Sequence, residues 1–228
     1  MGKYQHYAAL AQLFDYPDTR FVEQSRGVRR VIASSYPDAV DAVDQFLELV
    51  PEHDLAKMQE LYMRTFDVLA ITTLDIGYVL FGDDYKRGEL LSNLNREHIA
   101  CEIDCGGELA DHLPNVLRLM TKLTDRELLE ELVAEIVAPA IHKMKAEFAA
   151  GRIEQKHLAY RKHYKTLLEP PAESVVEATL YQYALHTLDC VLQKDFDVVE
   201  RIPVNQENSF LSSIGRENDI EGEAHAFY

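Results

Sequence analysis

The sequence has few cysteines, few basic residues and no long apolar run, and each shortage excludes a class of protein. Its three cysteines, Cys101, Cys105 and Cys190, are too few and odd in number for a disulfide scaffold, which favours a reducing compartment. A transmembrane helix needs about eighteen or more consecutive apolar residues, and no such run occurs. Asp and Glu number 39 against 23 Lys and Arg, a formal net charge of -16. This charge repels nucleic acid and anionic lipid and favours a basic partner.

Export signals are also missing. The opening residues "MGKYQHYAALAQLFDYPD" contain only a short apolar run, interrupted by Tyr, Gln and His, and no small-residue cleavage site follows it. Arg29 and Arg30 form a pair, but no uninterrupted apolar segment follows them, as a twin-arginine signal would require. We therefore expect a cytoplasmic protein without stable membrane insertion.

Familiar catalytic motifs are absent as well. The sequence has no Gly-x-Ser-x-Gly elbow, no Walker loop, no Gly-x-Gly-x-x-Gly and no His-Glu-x-x-His. Glu154 and His157 match half of the pattern of di-iron bundles, but the second copy is missing. The basic stretch "KHLAYRKHYK" (156–165) distributes its charges around a predicted helix, which favours a solvated face over a nucleic-acid site. No enzyme class gains support from these patterns.

Helical periodicity is the main positive signal. Apolar residues recur every three or four positions, and no stretch alternates apolar and polar residues as a strand does. We predict an all-α, single-domain bundle of roughly eight to ten helices over residues 1–200. Residues 201–228 are polar, acidic and without clear period, which predicts a loosely ordered tail.

The helix boundaries follow from capping residues and prolines. The first helix is predicted over residues 4–14, the next two from about Thr19 and Pro37, and a longer one from about Asp54. Residues 71–88 predict an irregular apolar loop. Four residues within it disfavour a long helix: Thr72, Thr73, Gly77 and Gly82.

Later helices carry similar signals. Asp83 or Asp84 caps the helix that follows the loop, and Pro114 fits only near the start of a helix. The capping box of residues 124–127 starts a helix that reaches Gly151, bent or broken at Pro139. Two further helices are predicted over residues 154–168 and 172–194.

The stretch "HIACEIDCGGELADHLP" (98–114) concentrates the side chains that could carry chemistry. His98, Cys101, Cys105 and His112 are ligand types that zinc accepts. Their spacing is unlike the short Cys-x2-Cys knuckle, and Cys-x3-Cys predicts both sulfurs on one helix face. A metal site and ordinary, partly buried thiols remain alternatives.

The second half of this stretch, "ELADHLP" (108–114), predicts a helix start. Asp111 as N-cap would accept hydrogen bonds from free N–H groups, while Glu108 could pair with His112 or with an incoming cation. A well-capped helix without further function is the alternative.

These residues resemble the TorD/DmsD/NarJ family of molybdoenzyme chaperones, in which a glutamate, two residues and Asp-His-Leu form the recurring motif. Three other stretches resemble the same family in the same order: "YAALAQLFDYPD" (7–18), "LYMRTFD" (61–67) and "LFGDDYKRGELL" (80–91). The resemblance covers roughly the first 125 residues and is greatest for the nitrate-reductase branch.

The resemblance implies a cytoplasmic chaperone, monomer or homodimer, without catalytic chemistry or a cofactor of its own. Its partner would be the catalytic subunit of a molybdopterin oxidoreductase, whose N-terminal leader, often of twin-arginine type, it binds until the molybdenum cofactor and iron-sulfur clusters are inserted. Nitrate reductase is the nearest client, and selenate, chlorate, perchlorate, dimethyl sulfide or ethylbenzene enzymes are alternatives. Nucleic acid is not an expected partner.

A peptide groove is expected between the helix that carries Tyr62 and Phe66 and the loop from Tyr78 to Tyr85, with Glu108, Asp111 and His112 at its polar rim. Replacing Asp111 and His112 together by alanine is expected to weaken leader binding without unfolding the protein. The full set of expected peptide-binding residues is Tyr62, Phe66, Asp67, Tyr78, Phe81, Tyr85, Arg87, Glu108, Asp111, His112 and Leu113.

Overall fold

The structure, a computed structural model, describes residues 3–68, 70–149, 151–154 and 179–197, and over these ranges the fold is all-α. A π-helical turn, Val133–Val137, separates α8 from α9, and the one bridge of β type among these residues joins Asp75 to His112. The prediction of an all-α bundle with eight to ten helices is confirmed. The ten α-helices within the described ranges are α1 (His6–Ala11), α2 (Phe21–Ile32), α3 (Pro37–Leu49), α4 (Leu55–Phe66), α5 (Ile76–Phe81), α6 (Tyr85–Ala100), α7 (Leu113–Met120), α8 (Arg126–Leu132), α9 (Ala138–Glu147) and α10 (Leu180–Phe196).

The centre of the core is α10, which packs along α3 and α9. Its buried residues recur at helical spacing, as in Tyr181, Leu185, Leu188 and Leu192. The Tyr181 ring lies in a cluster with Phe46, Phe66 and Tyr62, with ring centres 4.7 to 5.9 Å from its own. Burial of each large apolar side chain contributes about 1.5–3 kcal/mol, so the aromatic cluster is a main source of stability.

Aspartate caps start three of the helices. Asp54 accepts a hydrogen bond from the N–H of Lys57 at 2.9 Å, and Asp84 does the same for Lys86 at 3.0 Å. Asp125 caps α8 by accepting from the two N–H groups that follow Arg126. Of the two caps predicted for α6, Asp83 or Asp84, the structure has Asp84, whereas the cap of α8 is Asp125 and not the threonine before it.

The predicted apolar loop over residues 71–88 is wrong at its centre, because α5 forms there. Gly77 lies against Asp111 in this helix. A side chain would not fit there, because a Cβ atom would come within 2.6 Å of the Asp111 carboxylate. Gly82 then ends the helix with a φ of 62°, a left-handed conformation that other residues adopt reluctantly. The two glycines thus shape a short helix instead of preventing one.

Other boundaries differ in detail. The first helix is shorter than predicted. The helix expected to bend at Pro139 is interrupted by a π-helical turn just before that residue, so Pro139 lies in the first turn of α9. Pro114 lies at the start of α7, as predicted. Several predicted features lie outside the described residues: most of the helix at 154–168, the first part of the helix at 172–194, His157, the basic stretch 156–165 and the tail 201–228.

None of the helices in the described ranges combines the length and the apolar composition that crossing a bilayer requires.

Candidate functional site

The "ELADHLP" motif is held against the segment that leads into α5. The isolated antiparallel bridge places Asp75 beside His112. Because side chains alternate along a paired segment, Asp111 and Leu113 point into the protein, while His112, 13% exposed, faces Asp75 and Glu108. Two backbone hydrogen bonds fix this arrangement: the N–H of Ile76 to the oxygen of Asp111 at 3.0 Å, and the N–H of Leu113 to the oxygen of Leu74 at 2.8 Å.

Arg87 connects the two segments from its position in α6. Its Nε donates to Oδ2 of Asp111 at 3.1 Å, and its Nη2 donates to Oδ2 of Asp75 at 3.0 Å. The guanidinium also lies 5.2 Å from the centre of the Tyr78 ring, a cation–π contact. Three contacts therefore fix this arginine, which becomes part of the site's framework.

His112 and Glu108 form the outer part of the same network. The Nδ1 atom of His112 lies 3.3 Å from Oδ1 of Asp75 and 4.0 Å from Oε2 of Glu108. Both carboxylate oxygens of Asp75 are thus engaged, one by His112 and the other by Arg87. The Glu108 side chain is 64% exposed and remains accessible to a ligand. The predicted proximity of Glu108 and His112 is confirmed.

The environment shifts the two aspartates in opposite directions. The hydrogen bond from His112, assisted by Arg87, lowers the pKa of Asp75 despite its partial burial. Burial raises the pKa of Asp111, and the hydrogen bond from Arg87 only partly opposes it. Asp75 therefore favours the ionised state, whereas the ionised form of Asp111 is held at a cost in desolvation.

Asp111 is not at a rim, and it is not the N-cap of α7. Its side chain is fully buried, His112 occupies the cap position, and Oδ1 of Asp111 has no hydrogen-bonding partner within the described ranges. The bridge causes this difference because it turns Asp111 inward, toward Arg87 and Gly77. Replacing Asp111 and His112 together would consequently disturb the fold as well as the surface.

The expected aromatic wall of the groove also needs correction. Phe66 is buried, with its ring 4.7 Å from that of Tyr181, and Leu113 is fully buried, so both are core residues that a peptide cannot reach. The structure does place Tyr78, half-buried Phe81 and Tyr85 near or on the surface, with Tyr85 the most exposed. Their contact with a peptide stays a prediction.

Tyr62 lies near the acidic part of the site. Burial is the largest cause of the raised pKa of its hydroxyl, and four nearby carboxylates raise it further. Asp67 is exposed, and its side chain makes no hydrogen bond or ion pair with the rest of the described chain. Asp15 is instead paired with Arg118. The four carboxylates near Tyr62 are Glu108, Asp15, Asp67 and Asp75.

Sequence reasoning missed a further element of the site, an apolar hollow on the outer side of α4. Tyr16 packs edge-on against Tyr62, with ring centres 5.3 Å apart. It lines the hollow together with Met63 and Val68. The sequence signal was available in Met63, an apolar residue on the polar side of an amphipathic helix. Tyr16 and Val68 lie in irregular segments, where no periodicity points to them.

The predicted metal ligands are not brought together. His98 is buried, and its Nε2 lies 3.0 Å from the carbonyl oxygen of Ala110. The helix ends at Ala100, so Cys101 and Cys105 do not share a helix face, and burial raises the pKa of both thiols. Among the residues that the structure places, no group of three or more His, Cys, Asp or Glu side chains could hold a metal ion.

No protein-family model matches this chain, and no curated protein does so either. A functional proposal therefore depends on the geometry of the site and on the resemblance of its motifs.

Proposed function

We propose that this protein is a chaperone of the TorD/DmsD/NarJ type, which acts in the cytoplasm and has no catalytic role. It binds the N-terminal leader of a molybdopterin oxidoreductase catalytic subunit until the cofactors are inserted. The observation that carries the proposal is the acidic network of the "ELADHLP" motif, in which His112 lies 3.3 Å from Asp75 and 4.0 Å from the exposed Glu108. A leader with paired arginines has the charge that this group attracts.

Two carboxylates are available for such a ligand. Asp75 already holds Arg87 and His112, and Asp111 is buried, so neither can accept a new guanidinium without losing a partner. Asp67 and Glu108 are exposed, and both lie near enough to Tyr62 to raise the pKa of its hydroxyl. Each can accept hydrogen bonds from an arginine, whose planar fork suits a carboxylate.

Arg87 and His112 support this arrangement from within. Because both oxygens of Asp75 are occupied by Arg87 and His112, the exposed carboxylates of Asp67 and Glu108 are the ones left to a ligand. The formal net charge of -16 adds long-range attraction for a basic leader. Specificity then depends on the local geometry, and the overall charge accelerates the encounter.

Isothermal titration calorimetry with synthetic leader peptides from several molybdopterin oxidoreductases tests the proposal. The variant Asp67→Asn/Glu108→Gln should bind a responsive leader about tenfold more weakly, since two exposed ion pairs of up to about 1 kcal/mol each are lost. Asp41→Asn/Glu48→Gln, on the exposed face of α3, makes the same charge change elsewhere and should leave affinity within about twofold.

The proposal fails if no leader in the panel binds the wild-type protein. It also fails if both variants weaken binding equally, because the effect would then reflect overall charge and not this site.

A further inference from the structure

A cavity larger than the hollow on α4 lies where α5 and α9 pack against each other. Its volume is about 580 Å³, within the range of small-molecule sites. Ile71 and Val79 supply apolar wall before and within α5, and Ala146 supplies it from α9. The Tyr78 ring, 44% exposed, also lines the cavity and is held by the Arg87 guanidinium 5.2 Å away. The cavity therefore offers a fixed aromatic surface to an apolar body.

Two cations line the same cavity. Lys143 of α9 donates from Nζ to the carbonyl oxygen of Leu80 at 3.2 Å. Arg152 pairs through Nη1 with Glu147, which lies one helical turn after Lys143. Residues at this spacing share a helix face, so the ion pair places Arg152 on the same side of the cavity as Lys143. Each cation has more N–H groups than these contacts use, so both keep donors for a ligand.

The lining of this cavity is positively charged in a chain whose formal net charge is -16. Lys143 and Arg152 bring two positive charges and Glu147 one negative charge, so one positive charge remains. The hydroxyl of Thr73 accepts from the N–H of Asp75 at 3.2 Å, which leaves its own proton to donate to a ligand. These groups match an anion with a single charge, whereas the several charges of a nucleotide triphosphate would add to the excess negative charge of the chain.

We infer that the cavity between α5 and α9 binds a small organic carboxylate with an aromatic body. The carboxylate of this ligand lies at Lys143 and Arg152, and its aromatic body lies against the Tyr78 ring. An arginine fork suits a carboxylate, and the aromatic wall accounts for the apolar part of the ligand. The inference goes beyond the proposed function and does not depend on it, because the carboxylates proposed to hold a leader do not line this cavity.

Naphthoate is the probe for this site, because it combines an aromatic body with one carboxylate, and naphthamide is its neutral counterpart. Calorimetry on the wild-type protein should give a Kd of about 1 mM or tighter for naphthoate and binding at least about tenfold weaker for naphthamide. Naphthyl phosphate, which carries more negative charge, should bind no more tightly than naphthoate. Absence of naphthoate binding, equal affinity for the amide, or tighter binding of the phosphate would each overturn the inference.

Charge variants locate the carboxylate of the ligand. Lys143→Gln/Arg152→Gln should weaken naphthoate binding about tenfold or more. Lys122→Gln/Arg126→Gln makes the same charge change at exposed positions elsewhere and should leave the Kd within about twofold. If both double variants weaken binding equally, the effect reflects overall charge and the inference is wrong.

A variant that changes only size locates the aromatic body. Ala146→Leu places extra methyl groups in the cavity, so naphthoate binding should fall about tenfold or more. Thermal melts should show an intact fold, because leucine is a good helix former and Ala146 is exposed. Ala100→Leu, at an exposed position of α6, is the control and should bind naphthoate like the wild type. Unchanged naphthoate affinity in Ala146→Leu would overturn the inference.

Discussion

Asp195 near the end of α10 holds the two ends of the described chain together. Its Oδ2 lies 2.7 Å from Nε2 of His6 and accepts from the Tyr7 hydroxyl at 3.0 Å, and its Oδ1 accepts from the Tyr36 hydroxyl at 2.8 Å. Its side chain is only 12% exposed. Asp195→Asn keeps the size of this side chain but removes its charge, so it isolates the contribution of the carboxylate.

The magnitude follows from the three contacts. Hydrogen bonds to a charged group are stronger than neutral ones by about 1 kcal/mol each, so the substitution should cost about 3 kcal/mol. For a chain of this size, that corresponds to a Tm lower by about 6–12 °C. Asp197→Asn is the matched control, because Asp197 is exposed and its left-handed backbone suits asparagine, and it should leave Tm within about 2 °C.

Acid should reduce the difference between wild type and variant. Burial raises the pKa of Asp195, but hydrogen bonds from His6 and Tyr36 outweigh burial, and the net pKa is lowered. The carboxylate therefore stabilises the fold above its ordinary pKa of about 3.9, and this contribution is lost as pH falls through the lower folded value. Thermal melts followed by circular dichroism measure both effects. Equal Tm values for Asp195→Asn and wild type at neutral pH would show that the carboxylate does not stabilise the fold.

Two further predictions concern the framework of the site. Gly77→Ala places a Cβ atom 2.6 Å from Oδ2 of Asp111, so thermal melts should show the free energy of unfolding lowered by about 1–3 kcal/mol. The control Gly88→Ala, with nothing near its Cβ atom, should not destabilise the fold. Equal melting curves for the two variants would contradict the close contact at Gly77. The lowered pKa of Asp75 means that its ionised form stabilises the fold above the ordinary aspartate pKa and less as pH falls through the folded value. Asp75→Asn should therefore flatten the loss of stability in acid, measured by urea unfolding between about pH 5 and pH 2, and an unchanged pH profile would exclude that role.

Local signals predicted much of the helical framework. The helix start near Asp54, the cap at Asp83 or Asp84 and the position of Pro114 each depend on a few neighbouring residues, and the structure agrees with the helix starts they indicate. At Pro139 the sequence predicted only a bend or break in the helix. It did not predict the π-helical turn before this proline, because the exact place of such a turn depends on packing against other helices.

The parts that the sequence did not predict depend on contacts between distant segments. α5 forms where Gly77 lies against Asp111, and the burial of Asp111 follows from a single bridge between residues 37 positions apart in the sequence. The motif identified Glu108 and His112 as neighbours but did not predict that Asp111 points inward. The hollow likewise combines Tyr16 with Met63 from separate segments.

The most direct test of the central claim is a double-mutant cycle between the leader and the acidic site. Calorimetry would compare wild type and Asp67→Asn/Glu108→Gln, each with a leader peptide and with the same peptide carrying glutamines in place of its paired arginines. We expect a coupling of about 1 kcal/mol or more, because removing either set of charges makes the other set ineffective. Changes that simply add, with no coupling, would show that the arginines do not bind at Asp67 and Glu108.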